Sequence, residues 1–239
     1  MGARYAGSQV QENAITIQEE LEKSLGILFR DRIVLTGSSR TDAGVHAVRN
    51  YFHFDMDKSI EGDPVYQLNA ILPNDISVLS IEEVSPEAHC RFDALARAYV
   101  YRIYDKKDPF FSDRGWFYPY PLELDLLNAA AAVLIGTHDF TSFAKRNSQV
   151  HTHQCTILES QWENDGGVYV YAVKGNRFLR GMVRGLVATM AKVGRGKISV
   201  DQFKEILAGK DCTLADFSAP AHGLQLNDVF YHEHIFLRN

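Results

Sequence analysis

Gly37-Ser38-Ser39-Arg40-Thr41-Asp42-Ala43-Gly44-Val45-His46-Ala47 is the stretch from which the fold of this chain can be read. An apolar run, Ile33-Val34-Leu35, enters it, and an alternating run over residues 48–54 leaves it. In the second run Val48, Asn50, Phe52 and Phe54 share one face and Arg49, Tyr51 and His53 the other, which is strand periodicity. The two runs predict strands over residues 32–36 and 48–54. Strands hold such a turn rigidly, and its small residues let another group approach the backbone closely. The turn carries Arg40 and Asp42, two residues apart. Taken alone, an Asp beside Gly in such a place is more often a cap for its own backbone than a reactive group.

Working outward, Thr16 with Glu19 predicts a capped helix before the loop, with Ile17, Leu21, Leu25 and Leu28 on its apolar face. After the loop, Asp63-Pro64 reads as an N-cap and first helical position, with a helix to about residue 72. Residues 76–84 and 97–104 read as strands, the latter rich in β-branched and aromatic side chains. Lys106-Lys107-Asp108-Pro109 is a polar linker candidate, dividing the chain into halves at 1–105 and 106–239. Beyond it come an Ala-rich helix over residues 124–135 and a hairpin of residues 155–164 and 168–174 around Asp165-Gly166-Gly167. A long helix is predicted over residues 178–193. A shorter one, capped by Ser199 and Gln202, ends at Gly209, and a last strand spans residues 224–231. Both halves mix strands and helices without a βαβ rhythm. The expected class is therefore α+β, two mixed halves with a mainly antiparallel sheet, flanking helices and an active-site cleft between the halves.

At 239 residues, 46% hydrophobic and 23% charged, the chain has the composition of an ordinary globular protein. It shows no apolar run of membrane length and no secretory signal, so no membrane partner is expected. Cys90, Cys155 and Cys212 are scattered and form no CxxC pair, which argues for a reducing, cytoplasmic setting without disulfides. His151, His153 and Cys155, and separately His232 and His234, lack a second cluster at ligand spacing, so no metal is expected. There is no GxGxxG, Walker or GxSxG pattern, which speaks against nucleotide cofactors and a serine hydrolase.

The net charge of −5 conceals a segregation: residues 166–200 contain no Asp or Glu but hold Lys174, Arg177, Arg180, Arg184, Lys192, Arg195 and Lys197. That pattern favours an anionic partner over a solvated face, which usually mixes both signs. At spacings of three, four and seven, Arg177, Arg180 and Arg184 would share one face of the predicted helix, opposite Leu179, Met182, Val183, Leu186, Val187 and Met190. Gly181 and Gly185 would admit another backbone. An arginine on so apolar a helix calls for a carboxylate, and Asp42 is a candidate. Such a pair is equally a structural ion pair or a device that keeps Asp42 charged as nucleophile or base. Tyr99 and Tyr101, alternating with Arg97, suit base stacking, although core packing is the commoner role, above all for Tyr101.

Taken together, these residues resemble the TruA family of tRNA pseudouridine synthases over nearly the whole length. The family signature Gly-Arg-Thr-Asp-Ala-Gly-Val-His is matched at residues 37–46, with Ser38 and Ser39 between the glycine and Arg40. Leu68-Asn69, Leu72-Pro73, Asp75-Ile76, His89 with Arg91-Phe92, Arg97 with Tyr99 and Tyr101, residues 139–143, Asn176 with Phe178, Met182-Val183-Arg184 and Gly223-Leu224 with Leu226 continue the match. The resemblance implies a pseudouridine synthase-like fold and isomerisation of uridine at positions 38 to 40 of tRNA, in the anticodon arm, by a homodimer without cofactor. It implies Asp42 as the catalytic carboxylate, Arg184 as its ion-pair partner and Tyr99 as the ring packed on the uracil. Arg40 would hold the base out of its stack, and Arg177 and Arg180 would contact the RNA. The alternatives are an inactive RNA-binding module of the same fold and an aspartate-dependent hydrolase. Tyr5-Ala6-Gly7-Ser8-Gln9 resembles the family's Tyr-x-Gly-Trp-Gln with serine in place of tryptophan. Family members carry a strand ahead of this point, so upstream residues are expected to be missing, at some cost to stability, affinity or activity.

Overall fold

The computed structural model describes residues 1–57, 59–146 and 150–237. Two compact units emerge: Met1–Leu95 with Val229–Asn239, and Ala96–Asp228. Among the described residues the architecture is α+β, with five α-helices and mainly antiparallel strands.

In the first unit, α1 (Ile17–Phe29) starts where the Thr16 side chain accepts the Glu19 N–H. Two short strands, β1 (Thr36–Gly37) and β2 (His46–Ala47), flank the loop; β3 (Phe52–His53) pairs antiparallel with β1. The following helix, α2 (Pro64–Ile71), has Pro64 in its first turn and Asp63 accepting the Tyr66 N–H. Leu21 and Leu25 of α1, Ile33, Leu35, and Leu68 and Leu72 form the buried core, with Phe52 and Phe54 packed against it. The predicted strands over residues 32–36 and 48–54 thus shrink to two-residue pairings. Ile33 and Leu35 are buried and Phe52 and Phe54 partly so, but Val48, on the same predicted face as the two phenylalanines, is exposed.

The strand predicted over residues 76–84 is not formed; only Val84 makes an isolated bridge, to Phe236. The physical reason is Asn69, whose amide donates to the Val78 carbonyl at 2.8 Å and accepts the Val78 N–H at 2.7 Å. A side chain there satisfies the backbone groups that a neighbouring strand would otherwise need to satisfy. Ile76, Val78 and Ile81 still pack on the core.

In the second unit, β4 (Ala96–Tyr104) is followed by β5 (Trp116–Phe117), α3 (Leu124–Ala132), β6 (Gly136–Asp139), β7 (Gln154–Asp165) and β8 (Val168–Gly175). Then come α4 (Met182–Gly194), α5 (Val200–Ala208) and β9 (Leu224–Phe230). The sheet runs β9-β4-β8-β7-β6, with β5 parallel to β4. The β7–β8 hairpin turns at Gly166-Gly167 as its residues predict, and its register slips by one between Ile157 and Glu159. Trp162 and Tyr171 stack at 4.9 Å in its buried face, and the Asn128 side chain of α3 clasps both the N–H and C=O of Trp162. Lys106 and Lys107 lie within this unit, just before a single 3-10 turn, Pro109–Phe111, capped by Asp108.

The long helix begins later than the periodicity predicts. Gly181 sits at φ +76°, a left-handed conformation that ends any helix running through it, so α4 starts at Met182. Arg177 and Arg180 therefore precede α4 and do not share a helical face with Arg184. The space at Gly185 is filled by a side chain rather than a backbone: a Cβ there would lie 2.8 Å from the Phe217 ring. By contrast α5 carries the full Ser199–Gln202 capping box and closes at Gly209, as its sequence predicts.

Candidate active site

The loop of residues 37–47 is held by neighbours on two sides, all within the first unit. On one side, the Ser8 N–H donates to the Thr41 carbonyl at 3.1 Å, and the Ser8 hydroxyl accepts the Thr41 N–H at 2.8 Å. The same hydroxyl lies 3.4 Å from the Ser39 carbonyl, and the Gly44 N–H reaches the Tyr5 carbonyl at 3.4 Å. Gly7, at φ +106°, makes this approach feasible: a Cβ there would stand 2.6 Å from the Thr41 oxygen. On the other side, the Ser38 N–H donates to the Tyr51 carbonyl at 2.8 Å, and the Asn50 amide donates to the Ser39 carbonyl at 3.0 Å. Within the loop the Val45 N–H closes a turn on the Asp42 carbonyl at 3.1 Å. Asp42 is half-buried and Arg40 exposed.

The residues framing the loop are themselves anchored. The Tyr5 phenol donates to Asp75 at 2.7 Å, and the Gly2 N–H donates to His46 Nδ1 at 3.0 Å, so that nitrogen carries no proton. Burial, followed by the Asp75 hydrogen bond, pushes the Tyr5 phenol up to about 12. Serine stands at position 8 where the resemblance leads one to expect tryptophan, yet it is 4% exposed and supplies the hydroxyl that tethers the loop. The spacing of residues gave no sign of that role.

The remaining candidates lie in the second unit. Tyr99 is buried on β4, its ring edge-on to Phe178 at 5.1 Å. Tyr101 is fully buried and donates from its phenol to the Pro220 carbonyl at 2.8 Å, the packing role its position favours. Arg184, half-buried in the first turn of α4, lies near Tyr101 and donates from Nε to the Ala219 carbonyl at 2.6 Å. Thr189 and Lys192 of the same helix hold the same segment: Thr189 accepts the Asp216 N–H and Lys192 pairs with its carboxylate at 2.8 Å. Arg177 is half-buried, close enough to Cys155 to act on the thiol's charge, and Arg180 is exposed with its carbonyl accepting the Lys145 N–H. The acid-free window is not acid-free in space. Lys174 meets Glu159, Lys192 meets Asp216, and Arg195 lies 3.8 Å over the Tyr120 ring.

Residues 130–232 match the family model described as tRNA pseudouridine synthase, in keeping with the α+β fold, and relatives that cover nearly the whole chain set the class as a pseudouridine synthase. The tRNA pseudouridine synthase A of Parabacteroides distasonis is 42% identical, over 98% of this chain and 94% of that protein. The Bacteroides fragilis protein of the same name is also 42% identical, over 98% and 94%. That of Staphylococcus aureus is 38% identical, over 100% and 91%. The chain belongs to the tRNA pseudouridine synthase A family of isomerases. No helix among the described residues is long and apolar enough to cross a membrane.

Proposed function

We propose that the chain isomerises uridine to pseudouridine in the anticodon stem-loop of tRNA, at positions 38 to 40, as a cytoplasmic homodimer. Asp42 is the catalytic carboxylate, Arg184 its ion-pair partner in the reacting complex, and Tyr99 the ring against the uracil. Arg40, Arg177 and Arg180 hold the RNA. The observation that carries this reading is the loop itself: in a member of this family, the residues bearing Arg40 and Asp42 are tied by backbone hydrogen bonds to Ser8 and Tyr51. A carboxylate on so restrained a turn is placed before substrate arrives, which is what a positioned catalytic group requires.

The reaction breaks the N1–C1′ bond, turns the uracil and forms a C5–C1′ bond, with the C5 proton lost and one gained at N1. Atoms and electrons balance within the substrate. A carboxylate serves this chemistry by attacking the ribose or by taking a proton from it. The target base must first leave its stack, at about a few kcal/mol, which contacts elsewhere on the RNA offset. The test is to incubate the protein with unmodified tRNA and map pseudouridine, beside Asp42→Asn. The asparagine variant is expected to bind tRNA and form no product; equal product from both proteins would remove Asp42 from the mechanism.

A further inference from the structure

A cavity of about 200 Å³ opens in the first unit beside the loop, lined among others by Ser39, Arg40, Phe52, His89, Arg91 and Phe92. Among the described residues that line it, two are arginines and none is a carboxylate, so its field suits an anion. Phe92 is 74% exposed, so its ring is open to solvent. It is nevertheless fixed in place. The N–H groups of Phe92 and Asp93 both donate to the His89 carbonyl at 3.0 Å, and the His89 N–H donates to Asp93 at 2.7 Å. The Arg91 N–H donates to His89 Nδ1 at 3.2 Å, which fixes that ring as well. His89 packs on Phe92 with centroids 4.2 Å apart, and the Arg91 guanidinium lies 5.7 Å from the same ring. The turn therefore presents a flat apolar ring, backed by an imidazole and flanked by a cation, at the mouth of a positively charged cavity.

We propose that this cavity is a subsite for a second nucleotide of the RNA strand, one that is not itself isomerised. Its base stacks on Phe92, and its phosphate is held by Arg40 and Arg91. A fixed exposed ring suits this task because stacking tolerates any base and costs little ordering entropy. Arg40 would then work from its base in the loop toward the strand next to the reacting uridine. The proposal rests on the reading of the chain as an RNA isomerase, since that reading supplies the strand.

The test is the affinity of the whole protein for a labelled, unmodified anticodon stem-loop RNA, measured at several salt concentrations. Phe92→Ala is expected to weaken binding by about five- to a hundredfold, the effect of removing a base-stacking ring, while Phe92→Tyr retains it. Arg91→Ala should flatten the slope of log Kd against log salt by about 0.7, the share of one single-strand phosphate. Equal affinity for wild type and Phe92→Ala, both folded by thermal melting, would overturn the subsite. So would a Phe92-dependent affinity for uridine monophosphate with RNA binding unaltered, or a change in oligomeric state alone. Affinity is read without turnover. Loss of binding in Phe92→Ala alongside a wild type that makes no pseudouridine would sink the isomerase reading and leave the subsite standing.

Discussion

The Ser8 hydroxyl accepts the backbone N–H of Thr41, the residue before Asp42, at 2.8 Å. Ser8 is buried and Thr41 partly buried, so little solvent is at hand to replace the bond. Ser8→Ala should therefore cost about 1–3 kcal/mol, the cost of leaving a buried donor unpaired. Chemical denaturation measures this, and an unchanged midpoint would show that the loop does not depend on the tether.

Arg184 donates from Nε to the Ala219 carbonyl, a backbone group of its own unit. In Arg184→Met that bond and the charge are both lost. On the proposed role, single-turnover pseudouridine formation should fall by orders of magnitude while tRNA affinity falls only severalfold. A variant that binds poorly but reacts normally once saturated would make Arg184 a phosphate contact.

Gly185 leaves room for the Phe217 ring, and a Cβ at 185 would stand 2.8 Å from it. Gly185→Ala should destabilise by about 1–3 kcal/mol through overpacking. Adding Phe217→Leu should recover part of that loss, so the two changes will not be additive. Strict additivity in thermal or urea unfolding would mean that the helix shifts rather than the ring.

His53 Nδ1 accepts the Cys90 N–H at 3.2 Å, and burial first, then the neighbouring His89, lowers its pKa below the ordinary 6.5. Asp55 and Asp93 oppose that shift. The folded state thus favours the neutral ring. Its contribution is present above about 6.5 and is lost as pH falls from there through the lower folded value. The melting temperature should decline on acidification below 6.5, and the decline should be shallower in His53→Gln. An identical pH profile in both proteins would assign the acid sensitivity elsewhere.

What was legible in the residues was what they settle among near neighbours. The Ser199–Gln202 box, the Asp63-Pro64 start and the Gly166-Gly167 hairpin each complete their hydrogen bonds within a few residues. Residues 76–84 have strand composition, but Asn69, nine residues before Val78, takes the place of the partner strand. Nothing in the residue type announces that. The loop bearing Asp42 was recognisable as a set through its family resemblance. Its tethers to Tyr5 and Tyr51 were not, because bonds through the main chain leave no mark on side-chain identity, and nothing in the spacing singled out the Ser8 hydroxyl that holds Thr41. The basic window misled in the opposite sense: a run without acids in the sequence says nothing about acids such as Glu159 and Asp216 brought in from elsewhere.

Gly181 has a consequence beyond ending a helix. At φ +76° the chain takes, for one residue, the mirror-image hand to that of the helix that follows. The directions in which Arg180 and Arg184 leave the backbone are therefore related through a point of reversed chirality, not through helical rotation. The achiral residue acts as a swivel, and an L-residue placed there would be strained even though the nearest atom to its Cβ, the Lys145 Cβ, is an ordinary 3.6 Å away. Handedness at a single position, rather than charge or hydrophobicity, takes these two cations out of helical register.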